Sequence, residues 1–172
     1  MLTQQAANSA IHIAVLEYFA GERAEMVTAI AIFLAVAASA VWLFVYSRTG
    51  FALAFMITTV LAAGLMSAGL ASLMARDRAR SGELSAVLQT KQQPTVMVSE
   101  KQRMVVVLSK YGYYRYGAAL IAVIAMAGVL LSHRGWVHGA AAGLLLVVVS
   151  QVLIDQFSEQ RAKAYFERLA EY

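Results

Sequence analysis

Four stretches of this chain, residues 26–47, 51–75, 117–132 and 135–154, carry no Asp, Glu, Lys or Arg. An apolar run of about 18 residues or more is long enough to cross the hydrocarbon core of a bilayer as a helix. Three of the four runs reach that length, and Tyr113, Tyr114 and Tyr116 extend the third through the headgroup region. Hydrocarbon supplies no water to bond the backbone, so such runs must satisfy their N–H and C=O groups internally, as helices do. The expected fold is therefore all-α, a polytopic membrane protein with four transmembrane helices over about 26–47, 51–75, 114–132 and 135–155. The turns between the first two and the last two spans are only a few residues long, which pairs the spans as two antiparallel hairpins. Helical extensions over 8–22, 76–112 and 156–172 are expected in the cytosol, with the whole of 1–172 forming one membrane domain.

Charge orients the spans. Of the 14 Lys and Arg residues, only Arg48 and Arg134 lie in the two short turns. The other basic residues precede the first span, fill the central segment, or follow the last. Basic residues are retained on the cytoplasmic side, so both termini and the centre are expected to be cytoplasmic. The Ala-rich, Cys-free composition fits a bacterial inner membrane, and the absence of Cys excludes disulfides and thiolate metal sites. The first 25 residues, with Glu17, Glu22, Glu25 and Arg23, lack the pattern of a secretory signal.

Local patterns divide the extensions further. Ile11, Ala14, Val15, Tyr18 and Phe19 share a helical stripe, and Gly21 permits a bend after it. A weakening is expected at Ser81-Gly82, and Pro94 should end the element that leaves the second span. Ser99-Glu100-Lys101-Gln102 reads as a capping box that starts the next helix. Phe157, Tyr165, Leu169 and Tyr172 are placed on one face of the last extension, interrupted by Arg161. The two halves echo each other: Val15-Leu16 and Arg23 match Val107-Leu108 and Arg115, and Arg48-Thr49-Gly50-Phe51 resembles Arg134-Gly135-Trp136. A parallel duplication would leave this pattern. Membrane helices of similar composition share it as well.

No constellation names a reaction. His133 and His138 do not share a helix face well, and no carboxylate completes a metal set with them, so no cofactor or metal is expected. The spans hold no ionisable group at mid-depth, where ion-coupled transport needs one. No intramembrane protease set and no nucleotide-binding loop is present. An enzyme is therefore not expected. What remains is recognition. Gly139 and Gly143, with Gly64 and Ala68, are the candidate helix-packing residues, since close approach of backbones holds helices together in lipid. They would serve packing within the bundle, or homodimerisation. Tyr18, Phe19, Leu84, Val87, Leu88, Tyr165 and Leu169 are the candidate partner-binding residues of the cytosolic helices. Arg76, Arg78 and Arg80, at the exit of the second span, are candidates for anionic lipid. Nucleic acid is a poor alternative, because the run is short and no aromatic is interleaved with it. The leading expectation is a non-enzymatic membrane protein that binds another protein, membrane or cytosolic, as a toxin-immunity protein or accessory subunit would. An oligomeric channel or small transporter with its pore between protomers is the alternative.

Overall fold

The computed structural model describes residues 2–88 and 93–170, with side chains described for 11–86 and 97–170. It is a four-helix bundle of α1 (Leu2–Ser47), α2 (Gly50–Leu88), α3 (Gln93–Leu131) and α4 (Gly135–Ala170). Each helix is long and apolar enough to cross a membrane. α1 packs along α2, α2 along α4, and α4 along α3, while α2 and α3 barely meet. α2 and α4 run in the same direction, because Gly139 lies against Phe51 and Gly143 against Phe55 and Thr59.

The helices run through two of the breaks that the sequence suggests. Gly21 does not interrupt α1, and Ser81-Gly82 does not interrupt α2. Each costs only about 1 kcal/mol inside a helix, less than continuous tertiary packing returns. Pro94 stands in the first turn of α3 rather than ending an element, where its missing N–H has no intrahelical acceptor to lose. Ser99 consequently lies inside α3 and is not its cap. Arg48 and Thr49 alone join α1 to α2, with Gly50 already helical. Arg48 takes a left-handed conformation (φ 49°), and its N–H bonds the Phe44 carbonyl to close α1. The Thr49 hydroxyl then accepts from the Ala52 N–H at 3.2 Å, capping α2. Ser132, His133 and Arg134 link α3 to α4, where the His138 ring meets the Ser132 carbonyl at 2.7 Å.

The bundle has two halves of different character. Through the uncharged runs, most of the buried residues are small, with Phe33, Met26 and Val147 the large ones among them. Ala29, Ala40, Ala52, Ala63 and Ala141 are buried, while Leu34, Trp42, Leu65, Leu130 and Leu131 are more than 60% exposed. Such an outward apolar surface suits lipid and would be a liability in water. Thr28, Ser39 and Ser150 turn their hydroxyls onto the carbonyl four residues before them, which removes a polar group from the apolar face. The other half is an ordinary packed core. Ile11, Val15, Tyr18 and Phe19 of α1, Leu84 of α2, Met104 and Tyr111 of α3, and Ala162, Tyr165 and Leu169 of α4 form one cluster.

Candidate functional site

The charged half holds two carboxylates that have been taken out of water. Glu100 of α3 is fully buried. Arg103, one turn on, grips it with two bonds, Nη2 to Oε1 at 2.6 Å and Nε to Oε2 at 3.0 Å. Arg80 arrives from α2 at 3.2 Å, and the Tyr165 hydroxyl from α4 donates at 3.5 Å. A buried carboxylate persists only when it is paired and its lone pairs are filled, and three helices together meet that condition. The Arg103 guanidinium is desolvated, which opposes its charge. The bond to Glu100 outweighs that and leaves its pKa above the usual value. The same guanidinium lies 5.9 Å from the centre of the Phe19 ring, within the range of a cation–π contact. Tyr18 stacks on Tyr165 with ring centres 4.3 Å apart, and burial, followed by the charge of Glu22, raises its hydroxyl above the ordinary range.

The second carboxylate is Glu22 on α1, 8% exposed. Arg161 of α4 bridges it to Glu25, at 3.3 Å and 2.6 Å. Arg161 crosses α1 at Gly21, where any Cβ would stand 2.9 Å from its side chain. The missing side chain at Gly21 lets the Arg161 side chain pass this close to α1. Tyr111 donates to Ser158 at 3.1 Å, and Ser158 donates to Glu22 at 3.2 Å. Burial pushes the Glu22 carboxyl from 4.5 up to about 7 against the pull of Arg161, with Glu25 adding to the rise. Burial likewise raises Tyr111 to about 12. Beside this network is a cavity of about 160 Å³ walled by all four helices, including Glu22, Leu70, Tyr111 and Asp155. Gln151 donates to Asp155 at 2.6 Å, which accounts for the one amide in the fourth apolar run. A second cavity of about 260 Å³ lies between α1 and α4, edged by the Glu17–Arg168 pair at 2.8 Å.

The residues picked from the sequence are distributed unevenly. Tyr18, Phe19, Leu84, Tyr165 and Leu169 are not an open recognition face. They are buried against one another, because their four stripes cover each other in the charged half. The side chains of Val87 and Leu88, and the whole of Tyr172, lie outside the described residues. Phe157 does not share the Tyr165 face and is 62% exposed. It stands eight residues away, about 80° off, whereas Ser158 at seven falls in line. Gly139 and Gly143 sit against α2, where a Cβ would fall 2.1 Å from the Phe51 carbonyl oxygen and 3.0 Å from the Thr59 hydroxyl. Gly64 and Ala68 do not join them: both are exposed, and nothing stands within 4 Å of a Cβ on Gly64. Ala63, one position earlier, is the buried residue of α2 there. Arg76 and Arg78 are exposed, but Arg80 turns inward to Glu83 and Glu100, so it is not available to lipid.

Nothing in the sequence marks Glu22 or Arg161 as turning inward. The i, i+3 spacing of Glu100 and Arg103 was the one local signal. Among the described residues, no three His, Asp or Glu side chains group closely enough to hold a metal ion. No family model, curated protein or solved structure matches this chain.

Proposed function

We propose that this chain is a non-enzymatic, multi-pass protein of a bacterial inner membrane that binds a partner protein, as a toxin-immunity protein or an accessory subunit does. In this reading the four apolar runs cross the bilayer as two antiparallel hairpins, with both termini and the charged half in the cytoplasm. One observation carries the partner. Val98, Val105 and Val106 of α3 are 57%, 54% and 53% exposed, on a stretch that also bears Glu100, Lys101, Arg103 and Lys110. That stretch is too charged for hydrocarbon, so its outward valines face water unless something covers them. The buried carboxylates support the same reading, because their ion pairs join helices to one another and leave a rigid platform beneath that face.

A photo-crosslinking residue at Val105, activated in native membranes, is expected to yield one discrete protein adduct. Recovery of no protein adduct would remove the reading. Purified protein in liposomes should hold an ion gradient, whereas a ring-sized oligomer that leaks ions would favour the channel instead. Orientation is tested in the Cys-free chain. A Thr49→Cys variant should react with an impermeant maleimide on intact cells, and Gln102→Cys only after permeabilisation. The reverse pattern would invert the topology.

A further inference from the structure

A further cavity lies apart from the two described above. It is a groove of about 360 Å³ between α3 and α4, lined by Arg115, Val152, Gln156, Glu159, Gln160 and Lys163. We propose that this groove seats the headgroup phosphate of an anionic phospholipid of the cytoplasmic leaflet, with an acyl chain lying on the α4 face beside it. The proposal rests on the membrane reading given above.

Depth is the first argument. Arg115 precedes the third uncharged run by two residues, and Gln156 follows the fourth by two. Arg115 and Gln156 therefore fall where hydrocarbon gives way to headgroups, with Val152 on the apolar side of them and Lys163 on the aqueous side. Tyr113 and Tyr116, 75% and 78% exposed, flank Arg115 as interfacial aromatics do.

The shape of α4 is the second. Val149, Val152, Gln156, Gln160 and Lys163 recur at three- and four-residue intervals, so they form one continuous face. That face changes from aliphatic to amide to ammonium along its length. From Val149 to Lys163 it rises about 21 Å at 1.5 Å per residue. A soluble phosphate would have no use for the two exposed valines, Val149 at 56% and Val152 at 37%, and a phospholipid tail would.

Charge is the third. Arg115 and Lys163 both pair with the same carboxylate, Glu159, with Lys163 Nζ at 2.7 Å. Glu159 is 13% exposed, whereas the two cations are 58% and 59% exposed. One carboxylate thus organises two cations and neutralises one of them. An ammonium has three donors, and Glu159 engages one of them. Asp155 also faces Arg115 electrostatically, but it lines the other cavity and takes its hydrogen bond from Gln151. Basic side chains at this depth attract anionic headgroups.

The test uses the full-length protein in mild detergent, with phosphatidylglycerol, phosphatidylcholine and inorganic phosphate as probes and retained lipid read by native mass spectrometry. An Arg115→Gln/Lys163→Gln variant should retain phosphatidylglycerol about tenfold less than the parent, and Lys163→Gln alone about threefold less. Phosphatidylcholine retention should not change, and millimolar inorganic phosphate should not displace the lipid. Equal retention by parent and variants would overturn the proposal, and so would an equal loss in an Arg23→Gln/Lys101→Gln control, which would make the effect general surface charge. Displacement by inorganic phosphate would assign the groove to a soluble anion and overturn the lipid. Lys163 is exposed, so its single variant keeps the test open if the double variant does not fold. Membranes washed in alkaline carbonate separate the two levels. Release of the parent protein would sink the membrane reading itself, whereas retained protein with unchanged lipid binding sinks only the groove.

Discussion

Gly139 and Gly143 show what a single hydrogen in place of a side chain does in this bundle. Lipid is as apolar as leucine, so helices gain little from burying apolar surface and adhere through close contact. At Gly139 the neighbour is the backbone of Phe51, which cannot move without moving α2, whereas at Gly143 it is two threonine side chains and a carbonyl at 3.0–3.3 Å. Gly139→Ala should therefore cost about 2–3 kcal/mol and Gly143→Ala about 1 kcal/mol, as overpacking does. Gly64→Ala should be neutral or slightly stabilising, since helix propensity favours alanine and nothing stands in its way. Thermal midpoints in one detergent would rank the three, and a Gly64 effect equal to that at Gly139 would remove the close α2–α4 contact from the account. The sequence marks all three glycines alike. It carries no sign of which way each points, because that depends on the rotation of each helix against its neighbour.

At the scale of the element, length is written in the chain and termination is only partly so. The uncharged runs specify four helices, and the charged extensions continue them because nothing in the extensions outweighs packing. The α1–α2 turn is a place where local chemistry is strained. Arg48 adopts a conformation that costs a non-glycine residue about 1 kcal/mol. Glycine is the usual residue there, so Arg48→Gly should raise stability by about 1 kcal/mol, read as a higher thermal midpoint. An unchanged or lower midpoint would show that the Arg48 side chain contributes more than its backbone costs. Pro94 and Ser99 illustrate the opposite case. Each carries a valid helix-boundary signal, yet α3 begins before both. A proline near a helix start and a proline just past a helix end look the same until the partner helix is known.

The whole molecule joins an apolar half, which makes the membrane reading, to a charged half with its own core. Glu22 ties that core together, and its titration should be visible in stability. Its folded pKa of about 7 lies above the usual 4.5, so the folded state binds the extra proton between those values. This contribution is greatest below about pH 4.5, declines as pH rises toward 7, and is flat above, with a span of at most about 3 kcal/mol. Glu22→Gln removes it. The fall in thermal midpoint between pH 5 and pH 8 should be smaller in the variant by several degrees. Equal falls would mean that Glu22 is already ionised at pH 5. Other acids shared by both proteins cancel in that comparison.

The sequence by itself determined the helical class, the number of long apolar helices and the division into an apolar and a charged half. Those follow from runs of residue types, and runs are local. Tertiary structure alone decided that Tyr18, Phe19, Leu84, Tyr165 and Leu169 cover one another, that Arg80 and Arg161 turn inward, and that Gly139 rather than Gly64 meets a neighbour. An amphipathic stripe says only that a helix has a face to bury. What buries it depends on the azimuth and register of three other helices, and ion pairs such as Glu22–Arg161 join residues too far apart in the chain for any local pattern to anticipate.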